Sequence, residues 1–409
     1  MQSILESCCG LDVHKSMVMA CIAHGPLDKN PNFEIREFST MTNDLRELSE
    51  WLKEYNVTSI AMESTGIYWK PIFNILEDDF DVILANAQHI KNVPGRKTDV
   101  QDAQWIAHLF RNGLISGSFI PPRDIRDLRD LTRTRRKLVG HMASEKNRVQ
   151  KVLEDANIKI SSVVSKVFGV SSLNMIGVLL EKDELSDEEI AKMAKGKLKN
   201  KVNQLAEALN GNVTDHHRFL LRIHFENIDH LVKQIGKLDA QIQKRLAPYK
   251  DEFKIIQTVT GIKEISAASV IAEIGVDMSR FPGEANISSW AGVSPGNNES
   301  AGKKKSGKTR RGNNNLKATL TEAAWAASRT KGSAFSAVYN NIVKRRGKKR
   351  ALVAVAHQML IEIYRALKTG EPYQDVGAEV IDKRKSRNKE QKMVRELKKC
   401  GYEVTKVAI

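Results

Sequence analysis

The hydrophobic pattern of this 409-residue chain changes period part-way along, and that change limits what the chain can fold into. Up to residue 85 the apolar side chains gather in runs of strand length, at 7–13, 17–23, 33–39, 59–63 and 81–85. Residues 42–55 carry Leu45, Leu48, Trp51 and Leu52 at helical spacing with Thr42 placed as N-cap, and 99–111 follows Gly95-Arg96-Lys97-Thr98 as a further helix. Strands and helices in this order predict an α/β sheet. From Arg123 the period is helical. Leu128, Leu131, Leu138, Met142, Val149 and Leu153 fit one stripe, and Ile228, Leu231, Ile235, Leu238 and Ile242 recur at steps of 3 and 4. Two such helices are expected to pair as a coiled coil.

Between them, 158–212 reads as a mostly helical insertion. Residues 253–275 read as two short helices around Thr260-Gly261-Ile262-Lys263. That pattern is shared by helix-hairpin-helix turns, which offer backbone N–H groups to DNA phosphates, and by purely structural helical hairpins. Residues 292–312 are rich in Gly, Ser, Asn and Lys and predict a loop, with helices expected at 315–328 and 350–367. A basic tail, with nine cations against two acids from Lys383 to Lys399, is expected to order on a polyanion.

Charge is unevenly spread. The chain nets +16, but residues 1–112 net −6, 113–252 net +6 and 253–409 net +16. A basic body joined to an acidic N-terminal part suits an enzyme that handles nucleic acid at a carboxylate metal site, because phosphates need cations and divalent metals need anions. The same surplus also serves solubility. No uncharged run is long enough to span a bilayer, and the start, MQSILESCCGLDVHK, has no secretory pattern, so a cytoplasmic location is expected. Cys8, Cys9, Cys21 and Cys400 include no C-x-x-C pair and support neither a zinc site nor a disulfide framework.

Four acids stand out. Asp12 lies near the end of the first strand, Glu63 closes the strand 59–63, and Asp99 and Asp102 share one face of the helix that follows the last strand. Singly, each has an ordinary explanation, as a helix-dipole partner or a turn residue. Together they follow the order of an RNase H-like nuclease, in which converging carboxylates hold two Mg²⁺ ions. His14, His108, His216, His217 and His357 have no metal-ligand spacing and read as ordinary surface or core residues. Trp69, Trp290 and Trp325 read as core, and Tyr68 as packing on the sheet or stacking on a base.

Gly10-Leu11-Asp12-Val13-His14-Lys15, Met62-Glu63-Ser64-Thr65-Gly66-Ile67-Tyr68 and Lys97-Thr98-Asp99-Val100-Gln101-Asp102-Ala103 resemble the signatures of DEDD insertion-sequence transposases. The resemblance continues in Val259-Thr260-Gly261-Ile262, Trp290-Ala291-Gly292-Val293-Ser294-Pro295 and Asn298-Glu299-Ser300-Ala301-Gly302. It implies a RuvC-like domain whose Asp12, Glu63, Asp99 and Asp102 bind Mg²⁺ or Mn²⁺, working across subunits with a serine nucleophile that maps onto Ser300. It also implies a noncoding bridge RNA that pairs with donor and target DNA. Read from the residues alone, Ser294 and Ser306 share the loop and Ser300 is not singled out; Ala301 fills the variable place of the family's E-S-x-G element.

The expected architecture is an α/β RNase H-like (RuvC-like) domain at 1–120, a coiled-coil helical segment at 121–250, a mostly α-helical transposase domain at 251–375 and a basic tail at 376–409. Lys303, Lys304, Lys305, Lys308, Arg310 and Arg311 in the serine loop, with Lys344, Arg345 and Arg346, are the expected nucleic-acid contacts. The expected function is RNA-guided DNA recombination through a covalent serine–DNA intermediate, by a homodimer or homotetramer in the cytoplasm of a prokaryotic cell, at the nucleoid when active. A RuvC-like structure-specific nuclease and a non-catalytic nucleic-acid-binding protein are the alternatives.

Overall fold

In the computed structural model, Ser7–Val13 (β1), Met17–His24 (β2), Asn32–Ser39 (β3), Ser59–Glu63 (β4) and Asp81–Ala85 (β5) form one sheet in the order β3-β2-β1-β4-β5. The first three strands are antiparallel, whereas β1, β4 and β5 are parallel. Helices Thr42–Glu54 (α1) and Trp69–Leu76 (α2) make the crossovers, and Asp99–Arg111 (α3) follows β5. This topology is compatible with the RNase H-like class. The structure describes residues 3–63, 66–85, 99–115, 117–182, 184–296, 298–300, 303–309 and 311–405, in two units, Met1–Ile120 and Pro121–Ile409.

Alternation along the strands builds two cores. Cys9, Leu11, Val18, Ile22, Ile60 and Met62 pack under Leu45, Leu48 and Leu52 of α1 and Ile72, Phe73 and Leu76 of α2. On the opposite face Cys8, Cys21, Ala23, Ala61 and Ala85 meet Ala103, Ile106, Ala107 and Phe110 of α3. Each large apolar side chain so buried contributes roughly 1.5–3 kcal/mol, before the entropy of ordering the chain is set against it. Thr42 proves to be the first helical residue rather than the cap of α1; Met41 is the N-cap, and its N–H donates to Ser39 Oγ at 3.2 Å. Ser39 Oγ also donates to the Asp44 carboxylate in the first turn, tying the end of β3 to the start of α1.

The second unit opens with Arg123–Asp155 (α4), followed by Ile160–Val163 (α5), Val170–Leu179 (α6), Asp187–Met193 (α7), Val202–Leu209 (α8) and Asp215–Leu246 (α9). Helices α4 and α9 pair antiparallel. Asp124 meets Tyr249 just beyond α9, and Asp127 meets Arg245, Arg135 meets Asp239, Glu145 meets His224 and Asp155 meets His217. The residue numbers of each pair add to between 369 and 374, so one register runs the length of the arm. The insertion α5–α8 packs on the arm's end in one core, where Met175, Ile176, Leu205 and Leu209 meet Val149 and Leu153 of α4 and Leu221 of α9.

Lys250–Gln257 (α10), Glu264–Ile274 (α11), Glu284–Trp290 (α12), a ribbon of Asn298–Ser300 (β6) and Lys303–Ser306 (β7), Asn314–Ala327 (α13), Ala334–Arg346 (α14), Lys348–Thr369 (α15) and Gly377–Lys399 (α16) complete the chain. Leu316, Leu320, Val355, Met359, Leu360 and Ile363 are fully buried there. The basic tail, expected to need a polyanion for order, is a 23-residue helix whose first half is held to α14.

Candidate active site and nucleic-acid interface

Strand register places the first two acids. Leu11 pairs with Met62, so the residues that follow, Asp12 and Glu63, come level at neighbouring strand ends. Both fall on the face that α3 covers, because Cys8 and Ala61, an even number of residues earlier, lie in the core beneath that helix.

Helix α3 runs antiparallel to β1. Near its C-terminus Arg111 O accepts from Ile4 N at 2.9 Å, and Ala107 O lies 3.7 Å from Cys8 Sγ. At Gly10 the two backbones touch: a Cβ there would sit 2.4 Å from Ala107 N and 2.5 Å from Ala103 O, so only glycine fits. Two strand residues beyond Gly10 rise about 7 Å, as do about four to five residues of helix. Asp12 is therefore level with the first turn of α3, which contains Asp99 and Asp102.

Asp12 is only 6% exposed and its Oδ2 lies 3.1 Å from Nε2 of His14, a neighbour that the histidine spacing did not mark as functional. The sign was in Asp12-Val13-His14: two residues apart across the end of β1, the side chains emerge on one side. Glu63 and Asp102 are half-buried. Ser64, Thr65 and 86–98 lie outside the described residues, as does the side chain of Asp99. Among the described side chains no three His, Cys, Asp or Glu form a metal-holding group. As donors, Asp12, Glu63, Asp99 and Asp102 offer only carboxylate oxygen, which fits Mg²⁺ or Mn²⁺ and not a soft metal.

The opposite end of α3 is held by Arg111, fully buried, whose guanidinium donates to Glu6 O at 2.9 Å, Gly25 O at 2.9 Å, Pro26 O at 2.7 Å and Ser3 Oγ at 3.3 Å.

Residues 292–312, expected to be a loop, contain the β6–β7 ribbon, with Ser300 paired to Lys303 at its tip end. The sequence shows no alternating apolar face there; backbone pairing defines the ribbon, continued by the bridge between Pro295 and Thr309 and by Gly296 N donating to Lys308 O at 3.0 Å. At the base, Asn313 N donates to Trp290 O at 3.2 Å, and a Cβ on Gly312 would lie 2.4 Å from Gly292 N. Of the other serines in the segment, Ser294 is half-buried at the base and Ser306 pairs opposite Asn298.

Lys308 and Arg311 are exposed, Arg310 lies outside the described residues, and Lys303, Lys304 and Lys305 are placed by backbone alone in β7. Lys344, Arg345 and Arg346 form the exposed last turn of α14, and Lys348, Lys349 and Arg350, which sequence reasoning passed over, continue the cluster into α15. Helix α16 runs parallel to α14: Ala378 N donates to Gly332 O at 2.8 Å and Asn341 Nδ2 to Asp382 Oδ1 at 3.1 Å. Exposed Lys383, Arg384 and Arg387 thereby join the same region.

The turn at Thr260-Gly261-Ile262-Lys263 packs inward. A Cβ on Gly261 would come 2.6 Å from Ala323 O of α13, and Thr260 Oγ1 donates to Asp375 Oδ2 at 3.0 Å, so this side of the hairpin is a structural joint. Trp69 packs on the sheet core, Trp290 stands against Phe281, and Tyr68 is 40% exposed. Trp325, expected in the core, is 38% exposed and carries the Arg329 guanidinium over its ring at 4.2 Å. Among the described residues no helix is long and apolar enough to cross a membrane.

A five-stranded sheet compatible with the RNase H-like class, with acids at two neighbouring strand ends, and a helical unit after it are the arrangement expected of a DEDD-type transposase. The family model described as "Transposase" for the DEDD domain matches residues 9–158, and that described as "Transposase IS116/IS110/IS902 family" matches 253–340. The chain belongs to the IS110 family of DNA transposases. No curated protein matches it.

Proposed function

We propose that this transposase exchanges DNA strands through a covalent bond between Ser300 and DNA, with Asp12, Glu63, Asp99 and Asp102 as its metal-binding carboxylates. The observation that carries the acidic half is the Leu11–Met62 register beneath an antiparallel α3, which supports convergence of acids from β1, β4 and one helical turn. Mg²⁺ or Mn²⁺ bound there would stabilise charge developing on phosphate oxygens. His14 positions the Asp12 carboxylate by their hydrogen bond.

In the proposed step Ser300 Oγ bonds phosphorus as the bond to one sugar oxygen breaks, and the serine proton ends on that departing oxygen. One phosphodiester replaces another, so a later strand can reverse the step without an external energy source. Cations of β7, the α14–α15 junction and α16 would hold the DNA and a guide RNA through their phosphates. The family resemblance supports a bridge RNA and a composite site in a dimer or tetramer, acting at the nucleoid.

The test incubates the protein with DNA, copurified RNA and Mg²⁺ and resolves it on a denaturing gel. An adduct mapping to the peptide with Ser300, absent in Ser300→Ala, is expected; cleavage without adduct would establish a nuclease instead, and neither product a binding protein. Sequencing the copurified RNA tests the guide.

A further inference from the structure

We infer that Glu273 is a positioning residue for the serine ribbon, holding its base through Asn313; this rests on the assignment of Ser300 as nucleophile. Glu273 is 2% exposed on α11. Its carboxylate accepts a forked pair from Arg133, at 2.7 Å from Nε and 2.8 Å from Nη2, and Arg129 Nε lies 3.4 Å away. Arg129 also donates to the Ala272 and Glu273 carbonyls at 3.0 and 2.7 Å, and burial pulls its guanidinium down to about 10. The remaining bond goes to the ribbon: Asn313 Nδ2 donates to Glu273 Oε2 at 2.6 Å. Asn313 Oδ1 meanwhile accepts from Leu316 N at 3.0 Å as the N-cap of α13. One side chain thus fixes both the start of α13 and the end of the serine segment.

Stability alone does not account for this acid. It stands in the last turn of α11, where the helix dipole disfavours negative charge, and a buried ion pair is often replaced by apolar residues of similar volume without loss. What an apolar residue could not do is accept from Asn313 in one direction. Accuracy there matters because the ribbon is a lever. From the Pro295–Thr309 bridge to Ser300 the chain can reach at most about 17 Å, at about 3.3 Å per residue. A tilt of about 10° at the base could therefore move Ser300 by up to about 3 Å, whereas errors of about 1 Å in a reacting group can cost about 100-fold in rate.

A swap tests the bond in the full-length protein. Asn313→Asp keeps an N-cap but sets two carboxylates against each other, and adding Glu273→Gln replaces that repulsion by an amide-to-carboxylate bond while giving up the bond from Arg133 Nη2 to the same atom. In Asn313→Asp, amide exchange across 293–309 should rise about tenfold or more without DNA, and the adduct rate should fall about 10–100-fold. Nucleic-acid affinity should be unchanged, and the double variant should recover part of both losses, its remaining deficit being the lost Arg133 bond. Unchanged ribbon exchange in Asn313→Asp, or a double variant no better than the single, would overturn the proposal. Adduct formation by Ser300→Ala would instead overturn the nucleophile assignment, while the exchange data would still judge Glu273.

Discussion

Replacing Gly10 by alanine should damage the proposed acidic site without touching a carboxylate. The new Cβ would be 2.4 Å from Ala107 N, where ordinary contact begins near 3.4 Å, so α3 must lift by the difference, about 1 Å. The obstructing atoms are helix backbone and cannot rotate aside. Overpacking of this kind costs about 1–3 kcal/mol, which for a unit of this size lowers the melting temperature by about 4–12 °C. Lifting α3 also carries Asp99 and Asp102 away from Asp12 and Glu63, whereas metal–ligand distances tolerate only about 0.2 Å. Gly10→Ala should therefore lose Mg²⁺ stabilisation as well as intrinsic stability. Calorimetry with and without Mg²⁺ measures both. Gly140→Ala, in the interior of α4 with nothing within 4 Å of the new methyl, is the control and should gain up to about 1 kcal/mol. A Gly10→Ala protein with wild-type melting and an intact Mg²⁺ shift would refute the close approach.

Asp12→Asn should fold but gain much less from Mg²⁺ than wild type, whose stabilisation at about 100 times the dissociation constant is about 2.7 kcal/mol; equal shifts in thermal melts would dissolve the shared site. Arg111→Met leaves the carbonyls of Glu6, Gly25 and Pro26 without their buried donor and should cost about 3–5 kcal/mol in urea unfolding, against under about 0.5 for an exposed arginine such as Arg280. Burial raises the thiols of Cys8 and Cys21 from 9.0 to about 12, so folding favours their protonated forms. That contribution is complete below pH 9 and disappears between pH 9 and about 12, and iodoacetamide at pH 8 should label native protein at Cys400 alone; rapid native labelling of Cys8 would contradict it.

The five strands were legible because four are short apolar runs and the third, Asn32–Ser39, sets Phe33, Ile35 and Phe38 among polar residues, and the helix bearing Asp99 and Asp102 because its period is clear. Acids at neighbouring strand ends could be suspected from order alone. Their level could not, since it depends on Leu11 meeting Met62 and on Gly10 meeting Ala103 and Ala107, pairings between residues far apart in sequence. Ser300 resembled a loop residue because a ribbon held by backbone bonds leaves no side-chain pattern. The Glu273 network was invisible for a similar reason: an isolated Glu in an apolar helix shows no sign of an Arg 140 residues earlier and an Asn 40 residues later. In the arm, Leu138 and Met142 fit the stripe but are half-buried, because two helices alone cover only part of each seam.

The register of that arm makes its length adjustable in steps. Every contact across it joins a residue moving outward along α4 to one moving inward along α9, so a single deletion in one helix would turn everything beyond it by about 100° and mismatch the remaining pairs. Removing seven residues from both helices at matching levels turns each by only about 20° and shortens the arm by about 10 Å, with the pairs nearer the base untouched. The helical core at its end would travel with it as long as the removed residues lie nearer the base than Val149 and Leu221, which belong to that core. Relatives with arms of different reach are thus accessible by paired seven-residue losses or gains, each resetting how far from the ribbon that core is carried.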